Sequence, residues 1–98
     1  MNNYEKFEFY KKKWMENTKY SSTIREIVAD ENYHKIIDLG FSVVPYIFKE
    51  LDNENLRRRW ISALYKMTGA NPVKTDHAGN IDAITQDWIE WGKLSKYI

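Results

Sequence analysis

The chain has 98 residues, 43% hydrophobic and 30% charged, a composition that fits one globular domain and excludes disordered or fibrous chains. Fifteen Lys and Arg against 14 Asp and Glu leave a formal net charge of +1, so no global field steers the chain toward nucleic acid or an anionic membrane. Without cysteine there is neither a disulfide framework nor a thiolate zinc site, and no stretch approaches the roughly 18 apolar residues needed to span a bilayer.

Residues 1–13 are polar and charged with no apolar stretch of the kind a secretion signal carries, so the chain reads as unsecreted, soluble and cytoplasmic. From Asn3 to Glu16, Tyr4, Phe7, Tyr10 and Trp14 recur at spacings of three and four and predict a first helix with an aromatic stripe. Residues 17–22 lack periodicity and form a connection. Thr23 and Glu26 fit a capping box, and Ile24, Ile27 and Val28 then supply the buried face of a short second helix.

Asp30 caps a third helix with Tyr33, Ile36 and Ile37 inward, and Gly40 stands where a left-handed residue would end it. Ser42 is placed to cap the fourth, with Pro45 in its first turn and Val44, Ile47, Phe48 and Leu51 on one side. Asp52 and Asn53 interrupt that run. Leu56, Trp60, Ile61, Leu64 and Met67 then define a fifth helix ending at Thr68-Gly69. Ala70 to Asn80, with Asn71-Pro72 and Gly79-Asn80, is a loop expected to be mobile. A last helix from about Ile81 to Tyr97 carries Ile84, Trp88 and Trp91, with Lys93 and Lys96 in its final turns to complement the helix dipole. The predicted fold is all-α, a single domain over residues 1–98 forming a compact bundle of five to six helices.

Residues able to do chemistry are few. His34 and His77 are too far apart to form a paired ligand motif on one helix; His34 reads as a surface residue, and His77 lies on the loop beside Asp76, an acid able to orient it. Asp30-Glu31, and Asp52 with Glu54, sit at helix ends where carboxylates cap the backbone. No phosphate-binding glycine loop, nucleophile elbow or EF-hand occurs, and neither a catalytic residue, a metal nor a cofactor is assigned. Two basic runs, Lys11, Lys12, Lys13 and Arg57, Arg58, Arg59, contain phosphate-binding residue types, but three consecutive helical residues spread over roughly 200° and cannot all face one groove. Trp88 and Trp91 share a helix face and are read as core, with a protein-binding patch as the alternative.

The blocks Ile36-Ile37-Asp38-Leu39-Gly40, Val43-Val44-Pro45-Tyr46-Ile47-Phe48-Lys49-Glu50-Leu51 and Trp60 with Ala63-Leu64 resemble a HEAT-like helical pair, in which a glycine ends one helix and a proline opens the next. That resemblance covers about a third of the chain and, because a lone unit cannot form a solenoid, implies that the flanking helices act as caps. A wider resemblance runs through Trp14, Ser21-Ser22, Tyr33, Ile36-Ile37, Gly40, Val44-Pro45, Glu50-Leu51, Trp60, Ala63-Leu64, Thr68-Gly69, Asn71-Pro72-Val73 and Trp88-Ile89-Glu90-Trp91-Gly92. In these blocks the chain is similar to a family of small uncharacterised bacterial helical proteins. The resemblance brings no established activity. It implies a gene often placed beside that of another small protein, an arrangement suited to a partner, antitoxin or immunity role.

Excess Trp and Tyr, the HEAT-like core and the missing chemistry together lead to one expectation: a non-enzymatic, protein-binding helical module of bacterial or phage origin. It would act on a larger protein as an antitoxin, inhibitor or defence-system subunit. Tyr20, Arg58, Trp60, His77 and Trp91 are the expected partner-binding residues. The alternative is nucleic-acid binding through Lys11, Lys12, Lys13, Arg57, Arg58 and Arg59, and an unpaired apolar face would also suit a homodimer. A small enzyme built on His77 and Asp76 ranks last, since no nucleophile, oxyanion donor or metal cage accompanies them.

Overall fold

A computed structural model describes residues 1–98 and contains six α-helices and no strand, the all-α class that the apolar periodicity predicts. The chain divides into two compact units, residues 1–43 and 44–98.

In the first unit, helix α1 (Asn3–Thr18) opens on a capping box: Asn2 accepts the Glu5 backbone N–H at 2.8 Å, and Glu5 accepts that of Asn2 at 3.2 Å. The helix runs two residues beyond Glu16, and the Thr18 hydroxyl donates to the Trp14 carbonyl at 2.7 Å. Of the aromatic stripe, Phe7 and Trp14 are buried, Tyr10 is half-buried and Tyr4 stays exposed. Helix α2 (Ile24–Val28) starts where expected, with Thr23 accepting the Glu26 N–H at 3.2 Å.

The expected buried face of α2 is absent: Ile24 is exposed and Ile27 and Val28 are half-buried. A helix of five residues is too short to bury a full stripe, and this one is held through its backbone, the Ile27 carbonyl accepting the Trp14 indole N–H at 2.7 Å. Helix α3 (Glu31–Asp38) is capped by Asp30 and buries Tyr33 and Ile36, with the Tyr33 ring 5.1 Å from Trp14. Gly40, at φ +78°, takes the left-handed conformation that stops α3. Ser42 does not cap the next helix; it lies in a 3₁₀ turn (Phe41–Val43) and accepts the Asn3 side-chain amide at 2.8 Å, tying that turn to the start of α1.

In the second unit, helix α4 (Val44–Glu50) has Pro45 in its first turn and buries Val44, Ile47 and Phe48, followed by buried Leu51. A 3₁₀ turn (Glu54–Leu56), capped by Asn53, leads into helix α5 (Arg57–Thr68). Trp60, Ala63 and Leu64 form the buried face of α5, which packs on α4 and on helix α6 (Ile81–Leu94). Gly69, left-handed at φ +69°, ends α5 as its position suggests.

Helix α6 ends at Leu94 rather than near Tyr97, and the reason lies in its backbone. Lys96 adopts φ +65° and donates to the Lys93 carbonyl at 3.2 Å, while Tyr97 N–H reaches the Gly92 carbonyl at 2.9 Å, the paired bonds of a Schellman motif. The turn carries Tyr97 back onto Trp91, 5.6 Å between stacked rings, and beside Phe48 at 6.3 Å. Gly92 makes room for this packing: a Cβ there would lie 2.8 Å from two carbons of the buried Phe48 ring. Gly92→Ala is therefore expected to destabilise the protein by about 1–2 kcal/mol, overpacking outweighing the roughly 1 kcal/mol by which alanine is otherwise favoured in a helix. A denaturation midpoint equal to or above that of the wild type would show that Phe48 yields freely.

Candidate functional site

The segment read as a mobile loop carries a 3₁₀ turn (Thr75–His77) fastened to α6 by one acid. Asp87, mid-helix and 5% exposed, accepts the Lys74 backbone N–H at 3.1 Å and contacts His77 Nδ1 at 2.7 Å, with Lys74 Nζ 4.0 Å away. An ionised carboxylate has no proton to donate, so Nδ1 carries the hydrogen, on a side chain that is 30% exposed. The acid that orients His77 is thus Asp87, ten residues ahead, and not the adjacent Asp76, which is exposed.

The hydrogen bond from His77 holds the Asp87 carboxyl below its ordinary 3.8, helped by the Lys74 N–H and opposed by desolvation. In the unfolded chain the carboxyl returns to its ordinary value and binds its proton more readily. Stability contributed by Asp87 is therefore present above the ordinary value and disappears as pH falls through the folded one. Asp87→Asn is expected to lower the melting temperature at pH 7 and to speed hydrogen exchange of the Lys74 amide, the gap to wild type narrowing on acidification. A gap independent of pH would remove the carboxylate from this role.

The residues expected to bind a partner are differently placed. Tyr20 follows α1 and is 89% exposed, with Lys19 Nζ 5.1 Å from its ring centre. Arg58 is exposed in the first turn of α5. Trp91 is half-buried and meets Trp88 edge-on at 5.6 Å, and Trp88 is core as read. Trp60 is fully buried, so in this conformation its ring belongs to the core and has no surface to give a partner. Exposed His34 lies edge-on to Tyr33 at 5.4 Å.

Neither basic run presents three cations together. Lys11 pairs with Glu8 at 2.9 Å, Lys13 lies over Phe9 at 4.8 Å, and Lys12 is exposed. Arg57 is drawn inward, donating to the Leu51 carbonyl at 2.8 Å and pairing with Asp82 at 2.9 Å. Arg59 is half-buried, and desolvation holds its guanidinium pKa below the ordinary value; Arg58 alone of the three is exposed.

Two features, one buried and one exposed, give little signal in the sequence. Asp87 could have been noticed as the one acid between Ile84, Trp88 and Trp91 on the apolar side of α6, but its partners come from a segment with no periodicity. Exposed Tyr65 sits inside an otherwise ordinary amphipathic helix and gives no signal.

No group of three or more His, Cys, Asp or Glu side chains is arranged to hold a metal, no pocket is formed, and no helix is long and apolar enough to cross a membrane. Chemically, Asp87 orients the His77 imidazole through Nδ1. Comparison with protein-family models, curated proteins and solved structures finds no match.

Proposed function

We propose that this chain is a protein-binding helical module that docks on a larger protein, in the manner of an antitoxin, inhibitor or defence-system subunit. The observation carrying the reading is the display of large side chains on the surface: Tyr20 is 89% exposed, Leu94 85%, Phe41 61% and Tyr65 55%. The aromatic ones among them, Tyr20, Phe41 and Tyr65, are of the type preferred as anchors of protein interfaces because they contribute large contact area at low conformational cost. Gly40, left-handed after α3, and Pro45, in the first turn of α4, are the residues on which the HEAT-like resemblance rests and are compatible with this reading. The residues proposed to meet a partner are Tyr20 in the first unit and, separately, Arg58, His77 and Trp91 in the second, with Trp60 acting only through the fold.

Affinity capture of the tagged protein from the cells that naturally make it, at moderate salt and after nuclease treatment, tests this. A stoichiometric protein partner is expected, and alanine at Tyr20, Arg58, His77 and Trp91 together should release it. Recovery of nucleic acid alone would replace the docking reading with the phosphate-binding one. Capture unchanged by the four substitutions would remove this site assignment.

A further inference from the structure

We infer that the outward stripe of α5 formed by Arg58 and Tyr65 is a docking face for an acidic segment of a partner protein, an inference that rests on the docking reading above. Residues seven apart on an α-helix share a face and stand about 10 Å apart along its axis. Ser62 lies between them, Gly69 continues the line, and exposed Lys66 flanks Tyr65.

Tyr65 differs from the other exposed aromatic side chains. Phe9 lies under Lys13 and Tyr20 under Lys19, and Tyr4 and Phe41 also have partners within the chain. The Tyr65 ring, 55% exposed, has neither a ring partner, a cation nor a hydrogen bond. Arg58 likewise makes no ion pair, although the arginines on either side of it are turned inward or half-buried.

Charge selects the occupant. From Arg57 to Thr68 the helix contains four cations and no acid, so its own side chains offer no carboxylate to compete for Arg58. A guanidinium forms paired, charge-assisted hydrogen bonds with a carboxylate, and a phenol ring covers an apolar side chain while its hydroxyl stays wet. The complementary surface is a segment bearing Asp or Glu about 10 Å from an apolar residue. Nucleic acid fits less well, because phosphate binding gains affinity from many cations along a backbone and this helix exposes only two, Arg58 and Lys66.

Nuclear magnetic resonance titration of the ¹⁵N-labelled full chain tests the assignment with three probes: a synthetic Asp/Glu-rich peptide containing Leu and Phe, its Gln/Asn counterpart, and a single-stranded oligonucleotide. The acidic peptide is expected to shift the amides from Arg58 to Gly69 and the neutral one to leave them in place. Arg58→Glu and Tyr65→Ala, both at exposed positions, should each weaken that binding about tenfold or more. Shifts confined to other surfaces would overturn the inference, as would oligonucleotide binding at α5 that is indifferent to Tyr65→Ala. In the capture experiment, a partner retained equally by wild type, Arg58→Glu and Tyr65→Ala overturns this face and leaves docking intact. Failure of every form to capture a protein overturns both.

Discussion

Replacing Trp14 by alanine is expected to cost about 3–5 kcal/mol, most of the stability of a small domain at the lower end of the usual range of about 5–15 kcal/mol. Trp14 is fully buried in the first unit, its ring lies 5.1 Å from that of Tyr33, and its indole N–H donates to the Ile27 carbonyl at 2.7 Å. Alanine there leaves a cavity, and the Ile27 carbonyl loses its donor. Trp14→Phe goes part of the way to separating the two effects, because it keeps a six-membered ring in the core while removing the N–H and a smaller volume than alanine does. That variant should lose about 1–2 kcal/mol and show faster hydrogen exchange in α2, while the amides of α1 and α3 keep most of their protection. Unchanged exchange in α2 would mean that something other than the indole hydrogen bond holds this short helix in place.

The same residue marks where sequence reasoning reaches and where it stops. Spacing identified Trp14 as buried, because an apolar stripe on a helix must face the interior, and for the same reason it placed Tyr33, Ile36, Ile47 and Leu64. Gly40 and Gly69 were legible as helix ends, since a left-handed residue there meets no steric penalty in glycine. Spacing could not reveal that the Trp14 N–H would find the Ile27 carbonyl, a pairing set by tertiary packing.

Ser42 was misread for a related reason. A serine before an apolar run is a common cap, but here its hydroxyl meets Asn3, far away in sequence. The end of α6 was missed because Lys96 takes a left-handed conformation that lysine seldom adopts, stabilised by the Tyr97 ring on Trp91. At the candidate site the basic runs were visible as composition, whereas their division into inward Arg57, half-buried Arg59 and exposed Arg58 followed from which carboxylates and carbonyls the fold brought near.

Trp60 supplies the second large effect, and it decides how any loss of binding is read. Its side chain is fully buried, on the face of α5 that also buries Ala63 and Leu64, so Trp60→Ala is expected to cost about 3–5 kcal/mol. Partner capture by that variant would fall, as it would for any unfolded chain, and would carry no information about the interface. Trp60→Phe retains an aromatic filler at a cost of about 1–2 kcal/mol, leaving the protein folded under the conditions of capture. If Trp60 acts only through the core, the phenylalanine variant should bind its partner as tightly as wild type while its denaturation midpoint falls. Arg58→Glu should do the reverse, keeping the midpoint and losing the partner, because Arg58 is exposed and stands on the opposite side of the same helix. A Trp60→Phe protein that is folded by circular dichroism yet fails to bind would mean that the indole reaches the partner in a conformation where α5 has turned or opened, and the core assignment would have to be withdrawn.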